Sequence, residues 1–291
     1  MTVFSRIGII TKPHDPRVAA TLVQLLEFLR ARGLAILPDE SFRALSEPLT
    51  DRVFSRAEVA RESDLVVVVG GDGTLLHAAR SLADHAVPVV GVNVGRLGFL
   101  VDVSPEQVHT QLDAILAGEY LEEPRALLRG TVMRGESTLI EQTALNDIVL
   151  HVRDVVRMID FETRIDGQFV HTQRADGYVV STPTGSTAYA LSCGGPLLHP
   201  GLDALALVPI ASHTLSNRPI VVTGNSQIEI ILLPHSQSSA QVAFDGQSNI
   251  DIEPNDRVVI RKAPVPLRLI HPKDYDYYAI LRRKLRWSEQ P

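Results

Sequence analysis

One cysteine, Cys193, is all that the 291 residues contain, which excludes an internal disulfide framework and any CxxC metal or redox motif. Cys193 is expected as a small buried apolar residue. Excess positive charge is lacking as well: the net charge is −6, whereas a nucleic-acid binder is usually basic. No apolar run nears the roughly 20 residues that cross a bilayer. Ile7–Ile10 is too short for the core of a secretory leader, and Lys12-Pro13 follows at once. The expectation is a soluble, cytoplasmic protein with neither nucleic-acid nor membrane partners. Three catalytic signatures are also missing. There is no Gly-x-x-x-x-Gly-Lys-Ser/Thr phosphate loop, no Gly-x-Ser-x-Gly nucleophile elbow and no His-Glu-x-x-His zinc site. The sequence holds no internal repeat and no low-complexity segment.

What is present suits two ordinary domains, at roughly 100–200 residues each, and 45 % hydrophobic content is enough for a substantial core. The first 118 residues alternate strand and helix. Arg6–Ile10 reads as a strand, and Asp15-Pro16 as an N-cap with proline at the first helical position. Val18, Leu22, Leu25, Leu26 and Leu29 share one helical face, which Gly33 ends. Strands follow at Leu34–Leu37, Leu65–Val69 and Val87–Val92, with helices near Ser55–Arg61 and over Thr74–Ala83. Ser104-Pro105-Glu106-Gln107 predicts a capping box opening a helix to Ala117, closed by Gly118. This alternation predicts an α/β layer with a mainly parallel sheet.

From about Tyr120 short β-rich runs take over: Leu127–Met133, Thr138–Leu150, Met158–Ile165, Gly177–Ser181, Pro219–Thr223, Ile228–Leu233, Gln241–Phe244, Arg257–Ile260 and Leu267–Ile270. Their turn punctuation predicts an all-β, sandwich-like domain. Helices are expected there only after Gly185 and near Leu202–Leu207. A tail helix is expected over Tyr275–Trp287. Its Arg282, Arg283, Lys284 and Arg286 suit either an acidic membrane surface or, more simply, a docking helix with a solvated face. The expected domains are 1–123, with the tail 271–291 packing back on it, and 124–270.

Residues 64–76 are the most informative stretch. Leu65–Val69 reads as a strand buried on both faces, and Gly70-Gly71-Asp72-Gly73-Thr74 follows it. Glycines allow close approach to a ligand, and a following helix offers N–H groups to an anion. Phosphate-binding groups at Gly71 and Thr74 and a proton-accepting carboxylate, Asp72, then share one turn, which suits phosphoryl transfer to a hydroxyl. The other reading is an ordinary strand-to-helix turn with a solvated aspartate. The third glycine of the dinucleotide fingerprint is missing. A second stretch, Ala175–Pro196, runs from a strand into a hydroxyl-rich loop held by Pro183 and Gly185. Its Ser and Thr side chains suit the sugars and base edges of a nucleotide, and Tyr189 can lie along an adenine. Ser186 is placed to cap a short helix. Alternatively, the stretch is a capping loop rich in Ser and Thr, with Tyr189 a core tyrosine.

Together these two stretches closely resemble the bacterial NAD kinase family. The likeness extends through Ala144-Leu145-Asn146-Asp147, Leu207–Pro219, Asp245-Gly246-Gln247 and Ile270-His271-Pro272-Lys273-Asp274-Tyr275, and covers nearly the whole chain. The glycine–aspartate turn alone is not specific, since lipid kinases and phosphofructokinases carry similar ones; the longer stretch is far more restrictive. The resemblance implies ATP-dependent phosphorylation of the 2′-hydroxyl of the adenosine ribose of NAD, giving NADP and ADP. It implies a divalent metal, normally magnesium, arriving with the nucleotide, and a homodimer or homotetramer formed through the β-domain. The family's proton acceptor falls on Asp72, with Gly73 beside it touching the dinucleotide. Further NAD contacts fall on Asn146, Asp147, Arg157, Arg174, Asp176, on Thr187, Ala188, Tyr189, Ala190, Leu191 and Ser192, and on Gln247. Asp147 departs from the glutamate of many relatives, shortening that arm by one methylene. Arg157 and Arg174 equally suit surface ion pairs. His77 is either a phosphate contact or a surface-helix histidine. In the loop Asn93–Leu100, Arg96 either lies near phosphates or belongs to a plain chain reversal packed by Phe99. No metal ligand is assigned. Two other functions fit some of the same residues: a lipid kinase, which shares the turn but needs a membrane-facing surface, and a non-enzymatic NAD or NADP sensor.

Overall fold

The computed structural model describes residues 3–12, 16–45, 49–50, 52–95, 98–153, 158–214, 216–236 and 238–287. Asp15, the expected N-cap of the first helix, lies outside them. The chain begins with β1 (Arg6–Thr11), α1 (Pro16–Ala31), β2 (Ala35–Pro38), α2 (Arg56–Glu62), β3 (Leu65–Gly70), α3 (Asp72–Leu82), β4 (Pro88–Asn93), α4 (Val108–Leu116) and β5 (Tyr120–Arg125). Next come β6 (Leu128–Arg134), β7 (Ser137–Ala144), β8 (Asp147–Val152), β9 (Ile159–Ile165), β10 (Gln168–Ala175), β11 (Gly177–Ser181) and the single-turn α5 (Tyr189–Ser192). The chain closes with β12 (Ala204–Ile210), β13 (Ile220–Thr223), β14 (Ile228–Leu232), β15 (Ala240–Phe244), β16 (Ser248–Ile252), β17 (Arg257–Lys262), β18 (Leu267–Pro272) and α6 (Tyr277–Leu285). It divides into two compact units, Met1–Pro124 with Leu267–Pro291, and Arg125–Pro266.

The first unit is built on a sheet of order β2-β1-β3-β4-β18-β5. Its β2–β1, β1–β3, β3–β4 and β4–β18 ladders are parallel. β3 and β4 are buried along their whole length, as continuous Val-rich runs require in a sheet covered on both faces. Val18, Leu22, Leu25, Leu26 and Leu29 of α1 pack into the same core. α2 is opened by Ser55 and Glu58 in a reciprocal capping box. The box expected at Ser104 does not form: its hydroxyl makes no cap bond, and a 3-10 turn over Pro105–Gln107 precedes α4. α6 is N-capped by Asp276, whose carboxylate accepts from the Ala279 N–H. The strand at Leu267–Ile270, expected among the β-rich runs, extends to Pro272 and pairs with β4 in the first unit.

The second unit holds two six-stranded sheets, β10-β9-β14-β17-β6-β7 and β13-β12-β11-β8-β15-β16. One apolar cluster draws on both, with Phe161, Ile230 and Val258 from one sheet and Leu150, Tyr178 and Phe244 from the other. Three expectations need correcting. The helix expected near Leu202–Leu207 is the strand β12, paired with β11 and β13. The run Thr138–Leu150 is two strands, broken at Leu145-Asn146. Gln168–Ala175 and Ser248–Ile252, expected as no element, are strands.

Candidate active site

At the carboxyl end of β3 the chain turns into α3 within one residue. Gly70, the last residue of the strand, leaves room for Thr74, since a Cβ there would lie 2.3 Å from Thr74 Oγ1. Gly71 is the N-cap, with extended backbone angles. Asp72 is therefore the first residue of α3, two positions earlier than the helix start expected at Thr74. None of the three neighbouring glycines adopts a left-handed conformation. At Gly71 and Gly73 a side chain would meet nothing within 4 Å, so the turn is open where a ligand can approach. The positive end of the α3 dipole lies at the same place.

The Asp72 carboxylate is held by a second loop. Oδ2 accepts from the Phe99 N–H at 2.8 Å and Oδ1 from the Leu100 N–H at 3.0 Å. Gly98 is needed for this approach, since a Cβ there would fall 2.0 Å from Asp72 Oδ1. Each carboxylate oxygen keeps a further lone pair. His77, on the exposed side of α3, accepts a hydrogen bond from Arg80 Nη2 at Nδ1, 3.0 Å away. Desolvation and the Arg56 and Arg80 cations lower its pKa. It is thus a neutral imidazole at pH 7, able to offer a phosphate only the donor at Nε2. Arg96 lies outside the described residues.

In the second unit a cavity of about 480 Å³ is lined by Asn146, Asp147, His151, Asp176, Tyr189 and Asp245 among others. Its floor is fixed by Asp245, a left-handed residue with φ 51°. The Asp245 carboxylate accepts from the N–H groups of Leu145, Asn146 and Asp147 at 3.0, 2.7 and 3.3 Å. Ala188 and Tyr189 of the hydroxyl-rich loop also line the cavity, but the loop hydroxyls bond mostly to neighbouring carbonyls. Thr182 Oγ1 donates to the Leu145 carbonyl, Ser186 Oγ to that of Pro183 and Thr187 Oγ1 to that of Thr184. Ser186 therefore staples the loop, also accepting from the Leu198 N–H, and caps no helix. Gly185 presses so close to Asn146 that a Cβ would lie 2.1 Å from its carbonyl oxygen.

Two ionisable groups of the cavity are perturbed. Burial, aided by the Asp245 carboxylate, raises the Asp147 pKa to about 7. Burial also pushes the Tyr189 phenol up, as do Cys193, Asp147 and Asp176, so it is a hydrogen-bond donor at neutral pH. Cys193 is half-buried beside Tyr189 and is a free thiol. Among the described residues no group of three or more His, Cys, Asp or Glu side chains can hold a metal ion.

Comparison with known proteins decides the family. The ATP-NAD kinase N-terminal domain matches residues 7–120 and the ATP-NAD kinase C-terminal domain residues 145–272. An NAD kinase of Nitrosococcus oceani is 49 % identical over 287 residues, spanning 99 % of this chain and 98 % of the relative. One from Methylococcus capsulatus is 49 % identical over 287 residues, spanning 99 % of each. The chain belongs to the NAD kinase family. Its fold is also that of solved members. A yeast NADH kinase complexed with NADH superposes with a TM-score of 0.88 at 24 % identity, covering 99 % of this chain and 89 % of that one. An NAD kinase from Archaeoglobus fulgidus in complex with ATP gives 0.74 at 29 %, covering 97 % and 98 %.

Within this NAD kinase framework the residues singled out in the sequence are placed unevenly. Asp72, Gly71, Gly73 and Thr74 share the β3–α3 turn. Asn146, Asp147, Asp176, Ala188 and Tyr189 line the cavity. Thr187 and Leu191 are half-buried, Ala190 is buried and Ser192 exposed, none of them in the lining. Arg174 is exposed on β10 and Gln247 in the β15–β16 turn. Arg157 lies outside the described residues. His151 and Asn249 line the cavity without having been singled out, and so does Asp245, which was named for the family likeness but not as a contact. His151 was legible by strand alternation, two residues on from Val149 and four from Asp147 on the same face.

Proposed function

We propose that this chain transfers the terminal phosphoryl group of ATP to the 2′-hydroxyl of the adenosine ribose of NAD, releasing NADP and ADP. The observation that carries this reading is 49 % identity over 99 % of the chain with an NAD kinase. The intact Gly-Gly-Asp-Gly-Thr turn supports it. Phosphoryl transfer passes through a loose transition state, so the protein mainly positions groups and stabilises charge. Asp72 aims the hydroxyl oxygen and takes its proton through the lone pairs that Phe99 and Leu100 leave open. The start of α3, with Gly71, Gly73 and Thr74, favours the phosphates, and His77 adds a neutral donor there. Arg96 is proposed as a further phosphate contact.

NAD is held by the second unit. Asn146, Asp147 and Asp176 are proposed to hydrogen-bond the nucleoside, with Tyr189 and Ala188 against the base. Arg157, Arg174, Thr187, Ala190, Leu191, Ser192 and Gln247 complete the proposed set. Magnesium is proposed to arrive with the triphosphate, since that ion keeps waters and binds through phosphates. Bound there, it neutralises charge on the transferring group. A cytoplasmic location is proposed; no helix among the described residues is long and apolar enough to cross a membrane.

The test is NADP formation by the purified protein, with ATP, other triphosphates and polyphosphate as donors and NAD, NADH and a diacylglycerol emulsion as acceptors. NADP formed from ATP and NAD, dependent on a divalent metal, is the expected result. Phosphorylated lipid without NADP would make it a lipid kinase, and nucleotide binding without ADP release a sensor.

A further inference from the structure

The stretch Ile270–Tyr275, conspicuous in the sequence, takes no part in the chemistry above. Its histidine is fully buried, at 1 % exposure, with a carboxylate at each ring nitrogen. Nδ1 donates to Asp102 Oδ2 at 2.8 Å, and Nε2 lies 3.4 Å from Glu123 Oε2. The Tyr275 ring stacks on the imidazole, with centroids 3.7 Å apart. A buried imidazole so enclosed has one orientation, and it fixes whatever it is bonded to.

The partner at Nδ1 belongs to the segment that holds Asp72. Phe99 and Leu100 bond the Asp72 carboxylate. Val101 then fills the space that Gly91 leaves by lacking a side chain. Val103 is tied to β4 through the Asn93 N–H to its carbonyl at 2.7 Å and its own N–H to the Gly91 carbonyl. Asp102 alternates away from Val101 and Val103 and is anchored by His271. Its other oxygen, Oδ1, is buried without a hydrogen-bond partner, so the imidazole bond carries the hold on this side chain.

We propose that His271 is a positioning residue for phosphoryl transfer, holding through Asp102 the loop whose N–H groups orient the Asp72 carboxylate. This rests on the reading of Asp72 as the proton acceptor. Small displacements of such supports reach the chemistry, since misplacement by about 1 Å can cost about 10²-fold in rate.

The experiment compares kcat and both KM values for three variants of the full-length enzyme, each kept well below its own melting temperature. His271→Phe keeps the ring stacked on Tyr275 and removes both polar contacts. Its kcat is expected to fall about tenfold, with KM for NAD and ATP within about twofold. His271→Asn puts an amide donor where Nδ1 stood and is expected to recover kcat to within about threefold of wild type. His271→Gln reaches instead toward Glu123 and is expected to stay as low as His271→Phe. A general structural role would not separate Asn from Gln. Wild-type kcat in His271→Phe, or equal losses in all three, would overturn the proposal. If His271→Phe fails to fold, Asp102→Ala probes the same bond from the loop, and wild-type kcat there overturns it as well. Asp72→Asn is run alongside: retained turnover in that variant removes the underlying reading, whereas its loss with an unaffected His271→Phe removes only the positioning role.

Discussion

A carboxylate serves as a proton acceptor when it is fixed in direction yet not saturated with donors, and Asp72 meets both conditions. Two backbone N–H groups hold it, one on each oxygen. Asp72→Asn removes the proposed acceptor and sets an amide N–H against one of these donors. Its kcat is expected to drop by about 10²-fold or more, a general base contributing ~10²–10⁴. NAD KM should stay within severalfold, and steady-state kinetics with a melting curve would check both. Unchanged turnover would make Asp72 structural. Asp147 gives a second prediction, in stability. Its carboxyl titrates near 4 in an unfolded chain but at about 7 when folded, so between those values the folded state binds the extra proton. That contribution is fully present below about pH 4 and is lost as pH rises through 7. A displacement of this size corresponds to about 4 kcal/mol. Asp147→Asn is therefore expected to raise the melting temperature more at about pH 8 than at about pH 4.5. An equal change at both, read by circular dichroism, would show that burial leaves this carboxyl ionised.

Among the elements, those dictated by local pattern were legible and those dictated by distant partners were not. β3 announced itself through Leu65–Val69, since a short apolar run of one leucine and four valines, stopped by Gly70 and Gly71, fits a fully buried strand. β12 did not. Ala204–Ile210 is rich in Ala and Leu, good helix formers, but Leu205 and Leu207 enter one apolar cluster while Ala206 and Val208 enter another. Burial on both faces overrides propensity there. The break between β7 and β8 was hidden because Asp245, about 100 residues away, holds the N–H groups of 145–147. Of the candidate site, the residue types were readable, but the loop hydroxyls bond to neighbouring carbonyls that no motif reveals. The sequence at Leu267–Ile270 predicted a strand and gave no sign of its sheet. In the structure β18 lies between β4 and β5. A chain ending at Pro266 would leave β4 without its ladder from Arg268 to Ile270 and remove the buried Leu267, Leu269 and Ile270 from the core. Such a truncation is expected to lose cooperative unfolding of the first unit, measurable as disappearance of its melting transition. A retained transition would show that β4 and β5 close the sheet without β18.

At the scale of the molecule, the β-rich unit leaves four strands, β10, β7, β13 and β16, at the edges of its two sheets. Edge strands of a monomer are usually short, charged or covered. Here β10 exposes Phe169 at 60 % and Val170 at 37 %, and β13 exposes Val221 at 48 %. β10 carries a bulge between Phe169 and His171, which leaves Val170 without a partner in the ladder while Phe169 still pairs with Arg164. Apolar side chains exposed on an unpaired sheet edge offer a surface on which another strand can dock, and a second copy of the chain, supplying the same surface, is the simplest partner. The net charge of −6 per chain keeps such an assembly soluble but opposes indefinite growth. Light scattering is therefore expected to give a mass of two or four times 31.9 kDa. Phe169→Lys, which places a charge on the same edge, is expected to shift the population toward monomer. A monomer at every concentration would mean that these side chains are simply solvated, and a variant with unchanged mass would move the interface away from β10.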